Sequence, residues 1–271
     1  MIDHPVLAVA VALFAWWFFT GVLLWRVRVA DNGGPDQHLW SVILGMPMLG
    51  AGVWGADASV LDPSPQGIYV GFFSALLIWG WIELAFLSGV ITGPNRQPCP
   101  PGVPLGERFM RSLGTVAWHE LLLAGALVML VAISHGAVNT FAMWTFAILF
   151  FARISAKLNL FFGVPYINTD LLPRPLRHLT SHFRRASATG VFPVSITLLS
   201  FASACWMERA VSAQTQAMTV GYSLLTALTL LALIEHWFMI VPFPDQKLWR
   251  WMLPTPKSPS TDRVHEDFNG L

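Results

Sequence analysis

The chain is poor in charge. Asp, Glu, Lys and Arg make up 11% of its 271 residues, against about 25% in soluble domains. So few charges cannot clothe a soluble surface of this size, which argues against a soluble enzyme. There is no basic excess either, since 16 Lys and Arg face 15 Asp and Glu. Nucleic acid is therefore not expected as a partner. Two cysteines, Cys99 and Cys205, are too few for a disulfide framework and have no zinc-site spacing. The first five residues lack the basic stretch of a signal peptide, and no small-residue cleavage site closes the first apolar run. That run reads as a retained anchor. No Ser-His-Asp arrangement, phosphate loop or dinucleotide-binding glycine pattern stands in a suitable context.

Apolar sequence is what the chain has in quantity. A transmembrane helix needs about 20 mostly apolar residues. Seven stretches qualify, at 5–25, 39–56, 67–91, 113–134, 137–162, 190–207 and 217–241. The second contains Pro47 and the glycines 45, 50, 52 and 55, which predict a kink. Backbone polar groups in lipid must be satisfied within the segment, so each span is expected to be helical. The expected fold is an all-α, polytopic integral membrane protein. A bundle covers 1–253, and a cytoplasmic tail at 254–271 is disordered by composition.

The distribution of charge gives direction. Every Lys and Arg except Arg209 lies near or beyond the ends of spans one, three, five and seven. The positive-inside rule places the amino terminus outside and the carboxyl terminus in the cytoplasm. Loops 92–111 and 163–189 are then cytoplasmic. The first is stiffened by five prolines. The second reads, from Pro175 onward, as a short cationic amphipathic helix on the lipid headgroups. Arg96, Arg108, Arg177, His178, His182, Arg184 and Arg185 form the expected cytoplasmic docking surface. His178 and His182 have a metal-clamping spacing but no third ligand nearby, so attraction to anionic lipid is the preferred reading.

Ionisable residues inside spans are costly and point to function. Glu83, His119, Glu120, Arg153, Lys157, Glu235 and His236 fall roughly 7–14 Å inside their helix ends, at about 1.5 Å per residue. Asn159 joins at the edge. Four helices thus contribute to one intramembrane polar layer. Arg153 and Lys157 share a helix face, and the three glutamates can serve as their anions. Three readings stand. One is an ion-pair network that fixes packing. Another is a metal site, iron by ligand type, with Glu and His ligands. The third is tetrapyrrole binding through His119 or His236.

Several blocks resemble the PuhE family of photosynthetic complex assembly proteins. The most distinctive is Phe-Ala-Arg-Ile-Ser-Ala-Lys-Leu-Asn-Leu-Phe-Phe-Gly-Val at 151–164. Segments 93–101, 118–121, 178–183 and 242–244 follow the family in the same order. The resemblance implies a multi-pass protein of the bacterial inner membrane, cytoplasmic or intracytoplasmic. Its role would be non-enzymatic assembly of the reaction centre and antenna, with bacteriochlorophyll or a precursor as the molecule handled. Partners would be reaction-centre or antenna apoproteins, or other assembly factors. It brings no catalytic residues. The competing class is an integral-membrane, metal-dependent oxidoreductase acting on a tetrapyrrole or lipid.

Overall fold

The computed structural model describes residues 3–34, 36–169 and 171–242. They form eight α-helices and one 3-10 helix, with no strand among the described residues. Among the described residues, seven segments are long and apolar enough to cross a membrane, so the protein is a multi-pass, all-helical membrane protein. The expected tail at 254–271 lies outside the described residues.

Helix α1 spans Pro5–Asp31. His4 accepts from the Val6 N–H at 3.2 Å, and Pro5 takes the first turn, where its missing donor costs nothing. Ala8, Ala12 and Ala15 form a small-residue stripe buried against α8. Small side chains let the two backbones approach where no hydrophobic effect drives association.

The second span is broken, as Pro47 predicts. It comprises α2, Gln37–Leu44, and α3, Met46–Ser59, meeting at Gly45. Proline lacks a donor and crowds the carbonyl one turn back, so carbonyls near the break lose helical partners. Trp81 supplies one, its indole N–H donating to Val42 O at 3.1 Å.

Helix α4, Pro65–Leu87, is the most enclosed helix, capped by Ser64 through the Gly67 N–H at 3.2 Å. It contacts α1, α2, α3, α5, α6 and α8. Helices α5, Leu105–Ile133, and α6, Phe141–Phe162, pack on one flank. The 3-10 helix Arg174–His182 precedes α7, Val191–Ser212, and α8, Gln216–Trp237. Phe141 rests on Gly221 of α8, where no Cβ would fit.

Helix ends differ from the hydropathy windows for a physical reason. Hydropathy marks what lipid tolerates, whereas backbone hydrogen bonds continue past it. Helix α5 therefore starts after Pro104, taking in Arg108 and Arg111, and the third span stops at Leu87 before a turn at Gly89 with φ +71°. The amphipathic segment 174–182 is a 3-10 helix with Leu176 and Leu179 packed against Phe86.

Candidate functional site

The ends of α4, α6 and α8 and the starts of α5 and α7 share one end of the bundle, the basic end. The intramembrane ionisable residues lie in the half facing it. They do not form one site.

The main cluster joins three helices. Glu83 and Phe86 come from α4, His119 and Glu120 from α5, Arg153 and Lys157 from α6. Arg153 donates to Glu83 Oε2 at 2.8 Å, and Lys157 pairs with Glu120. Phe86 lies between them. Its ring centroid is 4.3 Å from that of His119, 6.0 Å from the Arg153 guanidinium and 5.4 Å from the Lys157 ammonium. The cluster holds two carboxylates and two cations, so its formal charge cancels with neutral histidine and needs no added ion.

The loop after α4 fixes His119. The His119 backbone N–H donates to Thr92 O, and the Asn95 N–H to Gly114 O, both at 3.0 Å. Asn95 Nδ2 donates to Arg111 O at 3.0 Å. Gly93 lies flat on the α5 backbone at Gly114 and Thr115, with no room for a Cβ. This contact explains a glycine in a proline-rich loop better than flexibility does.

A second network is uncharged. His236 Nδ1 donates to Ala232 O at 2.7 Å, which leaves Nε2 to accept from the Ser155 hydroxyl at 2.9 Å. Asn159 Nδ2 donates to Ser155 O and to Ser195 Oγ. This ties α6 to α7 and α8. Glu235 belongs to neither group. It is exposed on the flank of α8, accepts a hydrogen bond from Trp16 of α1 and feels the charge of Arg153.

The basic end is a tied cap. Arg108 donates to Phe161 O at 2.9 Å and His182 O at 2.8 Å, with its guanidinium 4.4 Å from the Phe161 ring centroid. His182 is buried, with Nε2 3.2 Å from Gln97 O and Nδ1 3.0 Å from Ser112 Oγ. Donation from Nε2 to the carbonyl leaves Nδ1 as an acceptor beside the Ser112 hydroxyl, which is itself 2.8 Å from Arg108 O. Burial holds the His182 imidazole below its ordinary value, and Arg108 and Arg111 push the same way against the Gln97 bond. Burial also lowers His178, aided by His182. Arg96 reaches Gly89 O at 3.3 Å and Arg185 reaches Ile167 O at 3.0 Å. Asp31 accepts from the Arg174 N–H at 3.2 Å and lies 3.2 Å from His38 Nε2. Of the residues expected to form a docking surface, Arg177 and Arg184 are exposed, with no side-chain partner among the described residues. Arg108, Arg185 and His182 hold the cap together.

Sequence reasoning missed Phe86, Thr92, Ser155, Ser195 and Ser112. Ser155 had a signal, lying midway between Arg153 and Lys157. Phe86 had a weaker one, following Glu83 by one helical turn.

The tetrapyrrole reading through a histidine does not fit this geometry. His119 is fully buried with its face against Phe86, and both ring nitrogens of His236 are engaged. Among the described residues, no three His, Cys, Asp or Glu side chains are grouped to hold a metal ion.

These features define a polytopic helical membrane protein with a balanced internal ion-pair cluster and a tied basic end. The chain belongs to the family described as "Protein of unknown function (DUF3623)", whose pattern matches residues 2–260. It is 54% identical over 258 residues to a Rhodobacter capsulatus protein described as "Uncharacterized 30.4 kDa protein in puhA 5'region", covering 95% of this chain and 94% of that protein. No solved structure matches the chain.

Proposed function

We propose that this protein is a non-enzymatic assembly factor for the photosynthetic reaction centre and antenna in the bacterial inner membrane, as the PuhE resemblance implies. The observation that carries the reading is the Rhodobacter capsulatus relative, which matches nearly end to end and is named for its place beside puhA. The basic end faces the cytoplasm under the positive-inside rule. Arg177 and Arg184, exposed beside the cap, are the contacts for an apoprotein or a second assembly factor. The tied loops hold that surface rigid. Escort of apoproteins is favoured over axial ligation of bacteriochlorophyll, because His119 is enclosed and His236 has no free nitrogen.

Purification in mild detergent from a fully pigmented host tests this choice. The protein should come away colourless, yet co-purify an apoprotein of the complex in a manner lost in Arg177→Glu/Arg184→Glu. Stoichiometric bacteriochlorophyll that disappears in His236→Ala would restore the pigment-binding reading. Stoichiometric iron in active protein would instead favour the oxidoreductase.

A further inference from the structure

The main cluster is sealed on one side and open on the other. Side-chain exposure is 35% at Arg153, 24% at Lys157 and 17% at Glu120, then falls to 7% at Glu83 and 0% at His119. The opening is therefore on the α5–α6 side and the closed end is against α4. Behind the opening, several buried polar atoms have no hydrogen-bond partner among the described residues. They are Glu83 Oε1, Glu120 Oε2, Arg153 Nε and both ring nitrogens of His119. Glu83 Oε1 and His119 Nε2 are 3.8 Å apart, beyond hydrogen-bond reach. Buried polar groups are almost always paired, and a concentration of unpaired ones calls for an explanation.

The kind of partner follows from charge and valence. Arg153 and Lys157 are each already paired with a carboxylate, so an anionic head would find no free cation and an uncharged polar head fits better. The free atoms comprise donors, Arg153 Nε and one His119 nitrogen, and acceptors, the two carboxylate oxygens and the other His119 nitrogen. A hydroxyl group can both donate and accept. The surroundings of the opening are apolar, with exposed Trp118 and Leu121 on α5 and Phe151 on α6.

We propose that this opening is a lateral binding site for the hydroxyl head of an uncharged, membrane-soluble, long-chain alcohol. The head pairs with Glu120 and Arg153 at the opening while the chain stays in the hydrocarbon. The inference rests on the cluster alone and does not depend on the assembly role.

Photolabelling in phosphatidylcholine vesicles tests it. The probes are hexadecanol with a diazirine near its hydroxyl, the matching hexadecanoate, and a headless diazirine alkane. The alcohol probe should label peptides spanning 113–124 and 150–160 about five-fold over α7, the preference one net hydrogen bond supplies. Excess hexadecanol should abolish that preference and excess hexadecane should not. The charge-balanced variant Glu120→Leu/Lys157→Met should lose it while remaining folded. Equal labelling by the headless probe, stronger labelling by hexadecanoate, or even labelling of all lipid-facing helices would each overturn the proposal. The wild-type competition is decisive even where the variant does not fold.

Discussion

Arg153 on α6 donates to Glu83 on α4 at 2.8 Å, and one turn along α6 Lys157 pairs with Glu120 on α5. The two cations of one helix face are thus sent to two different neighbours. Each pair joins α6 to a separate helix, and the order of pairing sets how the three pack.

Matched and mismatched double substitutions should therefore behave differently. Arg153→Met alone leaves Glu83 as an uncompensated buried charge and should cost about 3 kcal/mol, the low end for a buried pair because Arg153 is partly exposed. Glu83→Leu/Arg153→Met should recover most of that loss. Glu120→Leu/Arg153→Met removes one charge from each pair and should be less stable than either matched double. Thermal unfolding in detergent measures the ranking. Equal stability of matched and mismatched doubles would show that the pairs do not organise the bundle.

Gly93→Ala should weaken the seat of His119. A Cβ there meets the α5 backbone at Gly114 and Thr115, and overpacking typically costs about 1–3 kcal/mol. Gly114→Ala meets only the Asn95 Cβ, at 3.2 Å, and should be milder. Melting curves of the two variants, compared directly, decide the point.

The break in the second span has its own test. Trp81→Phe keeps an aromatic ring near α2 but leaves Val42 O without its donor, a loss of about 1–3 kcal/mol for a buried acceptor. Hydrogen exchange should rise around residues 40–50 in this variant and stay unchanged in α7.

Acid should loosen the cap. His182 is held below its ordinary value by burial, so the unfolded chain takes up its proton first as pH falls. The stability this neutral ring contributes is complete above the ordinary imidazole value, about 6.5. It is lost as pH drops through that value toward the lowered one. Protection factors in 95–112 and 160–185, taken against the intrinsic exchange rate at each pH, should fall from pH 7.5 to pH 5.5. His182→Gln, which carries no titrating group there, should flatten this change.

Much of the bundle could be read from composition, because lipid forces helix on any long apolar run. The seven spans and the break near Pro47 were legible for that reason. The candidate site was legible only in its membership. Glu83, His119, Glu120, Arg153 and Lys157 stood out as charges out of place, but pairing depends on helix rotation, which sequence spacing does not encode between helices. Glu235 shows the limit. Its depth matched the others, yet it lies on the flank of α8 beside Trp16 rather than in the cluster. The cap was hidden for a related reason. Arg108 and His182 read as surface charge, but each is turned inward by backbone carbonyls whose position only the folded loops fix.

The proposed role is assembly of the photosynthetic complex and not pigment synthesis. Its most direct test is a deletion strain in which assembled reaction centre–antenna complex and total bacteriochlorophyll are measured together after induction of photosynthetic growth. Assembled complex should fall several-fold while pigment synthesis continues, and the wild-type gene should restore it where Arg177→Glu/Arg184→Glu should not. Normal levels of assembled complex in the deletion strain, or loss of pigment synthesis ahead of complex, would contradict the claim.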